Sequence, residues 1–292
     1  MAPDAETLSK AEAKTARRRA CAFDSMKRKA SRMRGRILKP LVTTALLALL
    51  TWASAASAEE TVTFRSAAGG LDIRGYLAKP EGRGPFPAIV LLHSCLGLPA
   101  NRHSIEAEVT GWGYVALFVD DFSARGLKET CAFDFPGGVS DAYGALAFLA
   151  KLAYVDSSRI AVVGFSQGAD TALAIAASGP SSAFAIPGDL TFKAAAAFYP
   201  PCANHADAEF QLPTLIAVGA QDSVTPAADC RQLAKRQPGV IELVVYPGAD
   251  HGFDLPEFAG GRRVLGMWLK YDRETAEQSW VELRQFLAKR LR

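Results

Sequence analysis

Arg159-Ile160-Ala161-Val162-Val163-Gly164-Phe165-Ser166-Gln167-Gly168-Ala169 is the stretch that decides the fold. A short apolar run leads into a glycine-flanked serine and then into an alanine-rich segment that continues to Ala177. Strand, tight turn and helix in that order form the setting of a nucleophile elbow, in which the serine stands clear at the top of a sheet. The turn is so sharp that only small residues fit two before and two after the serine, and Gly164 and Gly168 occupy those places. G-x-S-x-G alone is a common pattern. It carries weight only if the chain also supplies a base and an acid.

Apolar runs flank the elbow on both sides. Ala88 to Leu92 and Tyr114 to Val119 precede it; Ala194 to Phe198, Thr214 to Val218 and Ile241 to Val245 follow. Such runs mark strands buried on both faces. Helices are expected at Asn101 to Thr110, Val139 to Leu152 and Ala227 to Lys235. An amphipathic closing helix runs from Arg273 to Leu291, with Trp280, Leu283, Phe286 and Leu287 as its core face. Ahead of these, Thr61 to Phe64 and Leu71 to Leu77 alternate apolar with polar around Gly69-Gly70, the pattern of an antiparallel hairpin. Phe122 to Gly138 reads as a long irregular excursion. The pattern predicts an α/β chain: a three-layer α/β/α sandwich around one doubly wound, mostly parallel sheet of about eight strands. Ligands of such sheets bind beyond the carboxyl ends of the strands.

The net charge of +3 conceals an asymmetry. Residues 1–58 carry 12 Lys/Arg and 4 Asp/Glu, which leaves 21 against 26, a net of −5, for residues 59–292. A domain of that charge gives no reason to expect nucleic-acid binding, which needs a basic face. A basic stretch ending at Lys39, an apolar run from Leu41 to Trp52 and Ala56-Ser57-Ala58 have the order of a secretory signal peptide. The run is shorter than the about 20 apolar residues of a membrane span. Residues 1–58 are therefore expected to be a leader and 59–292 a single exported domain, periplasmic or secreted, with no stable membrane span once the signal is cleaved. Cys21 falls in the leader, leaving Cys95, Cys131, Cys202 and Cys230, an even number suited to an oxidising compartment. Cys202 and Cys230 are expected to pair, each following a strand's carboxyl end. No cysteine or histidine spacing suggests a metal site, and no cofactor is called for.

A nucleophilic Ser166 needs an acid and then a histidine later in the chain, at the ends of later strands. Thr214 to Gly219 delivers Asp222, and Val244-Val245-Tyr246-Pro247-Gly248-Ala249-Asp250-His251 delivers His251 into a glycine-rich loop. His251 would take the Ser166 proton and return it to the leaving group, while Asp222 holds the imidazole tautomer. The other histidines serve the role less well: His93 follows a strand, His103 is on a polar helix and His205 is in a polar connector, the last two expected to be solvated. Asp250 and Asp254 are rivals to Asp222, but a residue adjacent to the histidine rarely turns back to Nδ1. A tetrahedral oxyanion needs two backbone N–H donors. Gln167 supplies one, and the loop after Leu92 the other, through Cys95 with Ser94 and Leu96 close behind. Ser94 and Arg125 are candidate substrate contacts, although Arg125 could equally pin its own loop.

His93-Ser94-Cys95-Leu96-Gly97-Leu98, Gly113 to Leu117, Phe122-Ser123-Ala124-Arg125-Gly126, Asp141-Ala142, Gly164 to Gly168, Ala220-Gln221-Asp222 and Tyr246 to Phe253 together resemble the dienelactone hydrolase family of α/β-hydrolases. The resemblance spans most of residues 61–290. It implies the Ser166–Asp222–His251 triad with oxyanion donors at Cys95 and Gln167. It also exposes three departures. The family's namesakes use a cysteine where this chain has Ser166, a glutamate where it has Ser94, and a carboxylate-binding arginine where it has Leu255. Ser166, with Cys131 and Cys230 in similar places, is similar to a secreted bacterial branch. The expected activity is hydrolysis of small-molecule carboxylic esters other than dienelactones, through an acyl-enzyme. A dienelactone hydrolase proper, a small peptidase of the prolyl-oligopeptidase kind and a non-catalytic binding protein on the same fold are the competing readings.

Overall fold

The structure is a computed structural model that describes residues 59–133, 135, 137–178 and 190–292. The expected leader lies outside the described residues. Eight strands form the main sheet: β1 (Glu60–Arg65), β2 (Asp72–Ala78), β3 (Phe86–Leu92), β4 (Val115–Asp120), β5 (Val155–Phe165), β6 (Ala195–Phe198), β7 (Thr214–Gly219) and β8 (Ile241–Tyr246). Their spatial order is β1-β2-β4-β3-β5-β6-β7-β8. The hairpin β1–β2 adds antiparallel to β4, and every pairing from β4 to β8 is parallel.

The apolar runs are continuous because both sheet faces are covered. In β3, Ala88, Val90 and Leu92 pack on one side and Ile89 and Leu91 on the other; β4 divides its residues in the same way. On the first face lie α2 (Gly138–Leu149), α3 (Gln167–Ser178) and α4 (Ala227–Arg236); on the second lie α1 (Arg102–Gly111) and α5 (Arg273–Arg290). Leu283, Phe286 and Leu287 of α5 are buried as its pattern predicts. Chain order reverses direction at β3, which has β4 on one side and β5 on the other. This is the topological switch point, so the loops leaving β3 and β5 flank the crevice where such folds bind ligands.

The turn chemistry explains the elbow. A Cβ on Gly164 would lie 2.0 Å from the Gly168 carbonyl oxygen, and one on Gly168 would lie 2.4 Å from that of Leu92. Backbone meets backbone at both positions, so neither tolerates a side chain. Ser166 itself sits at φ 52°, the left-handed region, held by its N–H to the Phe198 carbonyl at 2.9 Å.

Cys202 pairs with Cys230, as expected, although Cys230 lies in the first turns of α4 rather than directly after a strand. Cys95 pairs with Cys131. These bonds close loops of 28 and 36 residues. Loop-closure entropy makes each worth about 3.5 kcal/mol. Reduction is expected to lower the Tm by about 10 °C per bond, measured by calorimetry with and without a thiol reductant.

Candidate active site

Three strand ends bring the candidate triad together. β5 ends at Ser166, β7 leads to Asp222, and β8 leads to His251. The last two loops are tied by the Gln221 N–H to the Ala249 carbonyl at 2.9 Å. His251 Nε2 lies 3.0 Å from Ser166 Oγ, and His251 Nδ1 lies 2.8 Å from Asp222 Oδ2. Asp222 Oδ1 accepts the backbone N–H groups of Val224 and Thr225, both at 2.8 Å. With Asp222 5 % and His251 3 % exposed, the pair is shielded from water. A carboxylate fixed in this way draws the imidazole proton to Nδ1 and leaves Nε2 free to accept from the serine.

Sequence reasoning missed two neighbours. Thr225 Oγ1 lies 2.9 Å from Asp222 Oδ2 and 3.1 Å from the Tyr199 carbonyl oxygen, joining the acid loop to the end of β6. Tyr199, at φ 42°, packs its ring edge-on to His251 with centroids 4.7 Å apart. Its signal was its place at the carboxyl end of β6, just before Pro200-Pro201.

The rival acids are engaged elsewhere. Asp250 Oδ2 lies 3.9 Å from Lys270 Nζ, and Asp254 accepts the Tyr199 O–H at 2.7 Å. Burial pushes the Asp254 carboxyl up to about 6, with the Tyr199 hydrogen bond opposing it. The folded state therefore holds a proton that the unfolded chain has released between pH 4 and 6, and stability falls as pH rises through that window. The difference in unfolding free energy between the wild type and Asp254→Asn is expected to move by about 3 kcal/mol from pH 4 to pH 7.5, read from urea midpoints.

The loop after β3 is firmly held. His93 Nε2 lies 2.9 Å from Asp121 Oδ1 and its Nδ1 lies 2.8 Å from the Ser94 carbonyl oxygen. Burial works against charging His93, but the Asp121 carboxylate beside it prevails and raises its pKa. Of the three donors considered in this loop, Leu96 N–H is engaged by Ser94 Oγ at 3.2 Å. The Cys95 and Gln167 N–H groups make no turn or loop backbone bond among the described residues. One segment bridges these two residues: Thr130 N–H donates to the Cys95 carbonyl at 2.9 Å, Thr130 Oγ1 donates to Gln167 Oε1 at 2.7 Å, and Cys131 is bonded to Cys95.

Ser94, Cys95, Leu96, Tyr199, Leu255, Met267 and Leu269 line a cavity of only about 10 Å³ against Ser166 and His251. Met267 and Leu269 arrive on a hairpin, β9 (Arg262–Val264) with β10 (Met267–Leu269), that pairs with the His251 loop. Arg125 is not in this cavity. Its guanidinium pairs with Asp141 at 2.8 Å and with the Asp121 carbonyl at 2.6 Å, so it pins its loop to α2. His205 corrects another expectation. It is shielded, not solvated, and its Nε2 lies 2.8 Å from Asp170 Oδ1. His103 is exposed as expected.

The model of the dienelactone hydrolase family matches residues 73–291. A Synechocystis protein named "Putative carboxymethylenebutenolidase" is 26 % identical over 76 % of this chain and 94 % of its own length. Two solved structures share the fold. A dienelactone hydrolase-like promiscuous phosphotriesterase from metagenomic libraries has 19 % identity and TM-score 0.64 over 81 % of this chain and all of its own. Thermogutta terrifontis esterase 2, phosphorylated by paraoxon, has 21 % identity and TM-score 0.59 over 79 % of this chain and 94 % of its own.

Proposed function

The chain belongs to the dienelactone hydrolase family, and on that premise we propose that it is an exported serine hydrolase cleaving small, neutral carboxylic esters through an acyl-enzyme. The continuous hydrogen-bond line Ser166–His251–Asp222, at 3.0 and 2.8 Å, carries this reading. His251 Nε2 accepts the Ser166 proton as Oγ attacks the ester carbonyl. The oxyanion forms beside the Cys95 and Gln167 N–H groups, and His251 then protonates the departing alkoxide. Water, deprotonated by the same imidazole, attacks the acyl-enzyme and regenerates Ser166.

The cavity supports the substrate class. Among the described residues, none lining it other than His251 can carry a charge near neutral pH, and Leu255 stands where the namesakes have a carboxylate-binding arginine. Its volume has room for about one water-sized group. p-Nitrophenyl acetate is expected to turn over at least about tenfold faster in kcat/KM than both the octanoate and the succinate half-ester. Equal or better turnover of either one would refute the small, neutral acyl preference.

Export is supported by the two disulfides. No helix among the described residues is long and apolar enough to cross a membrane.

A further inference from the structure

A second cavity, of about 340 Å³, lies between α1 and α5 and plays no part in the chemistry proposed at Ser166. Its walls include the Trp112 and Trp280 rings, whose centroids are 5.8 Å apart at 54°, and Tyr271. Asp254 also lines it. That carboxylate is 2 % exposed; its Oδ1 accepts from Tyr199, and its Oδ2 has no hydrogen-bond partner among the described residues. Asn101 lines it too, and its buried Oδ1 is equally unpartnered among the described residues.

Two buried acceptors without donors are costly unless something supplies N–H or O–H groups. The charges around the cavity narrow the choice. Glu277 is paired with Arg273 at 2.7 Å, which leaves Glu108 and Asp254 against Arg284 among the described lining residues, so the lining is net negative. A purely apolar occupant would leave both acceptors unpaired. A neutral alcohol would leave the buried carboxylate without a counter-charge. An ammonium answers both needs, and indole faces add attraction for it.

We propose that this cavity is a binding site for a primary ammonium carried on an aromatic body, with Asp254 and Asn101 accepting from the ammonium and Trp112 and Trp280 enclosing the ring. The site is separate from the ester site. Among the described residues the two cavities share no lining residue, and Trp280 packs on Phe165 and Phe198, with ring centroids 6.3 and 6.0 Å away.

Calorimetric titration of the full chain at pH 7.5 with phenethylammonium, against phenethyl alcohol as a neutral match, tests this. The ammonium is expected to bind at least about tenfold more tightly than the alcohol, and Asp254→Asn to remove that advantage. Trp112→Ala is expected to weaken both ligands, and Ser166→Ala to bind as the wild type does. If Asp254→Asn does not fold, Asn101→Ala carries the test, with a loss of at least about fivefold expected for the ammonium alone. The proposal is overturned by equal affinity for the two ligands, by no binding up to about 20 mM, by undiminished binding in the folded acceptor variant, or by lost binding in Ser166→Ala.

Discussion

Ser166→Ala is expected to lower kcat for p-nitrophenyl acetate by about 10⁴- to 10⁶-fold while the thermal unfolding profile stays that of the wild type. The size follows from the geometry. Without Oγ there is no atom 3.0 Å from His251 Nε2 to attack the carbonyl, and what remains is the oxyanion environment acting on water. Alanine keeps the backbone N–H that bonds the Phe198 carbonyl, so the elbow itself is retained. Steady-state kinetics beside calorimetry checks both halves of the expectation. Loss of activity together with loss of cooperative unfolding would point to a structural role instead.

Asp222→Asn is expected to cost about 10⁴-fold in kcat with KM little changed. The two N–H donors at Val224 and Thr225 hold one side-chain oxygen in place at 2.8 Å each. An asparagine satisfies them only by setting its carbonyl oxygen there, which points its NH₂ at His251 Nδ1. The imidazole proton is then driven to Nε2, where it faces Ser166 as a donor and cannot accept. A pH–rate profile separates this from misfolding, because the wrong tautomer lowers the plateau while substrate saturation is preserved. A loss below about tenfold would remove Asp222 from the role of orienting acid.

The elbow and the ends of β7 and β8 were legible because each residue announces itself locally. Gly164 and Gly168 mark a turn that admits no side chain, and Asp222 and His251 follow apolar runs at the places a doubly wound sheet makes reactive. The starting hairpin, the parallel strands and the core face of α5 were readable from periodicity alone. β9 and β10 were not, since three residues carry no period, and Met267 and Leu269 reach the cavity only through that hairpin. Arg125 shows another limit. Its pairing with Asp141 spans 16 residues, and nothing in either neighbourhood specifies it. Thr225 and Tyr199 were hidden because their contacts join different strand ends. The Cys95–Cys131 bond depends on how the excursion after β4 folds back over the β3 loop, which composition does not encode.

Acid-quenched mass spectrometry of the chain during turnover of p-nitrophenyl acetate tests the central claim most directly. Acetylation confined to the peptide containing Ser166, formed with a burst of one p-nitrophenol per chain and absent in His251→Ala, is the predicted result. Steady hydrolysis with no acyl-enzyme, or acetyl groups on a different residue, would contradict it.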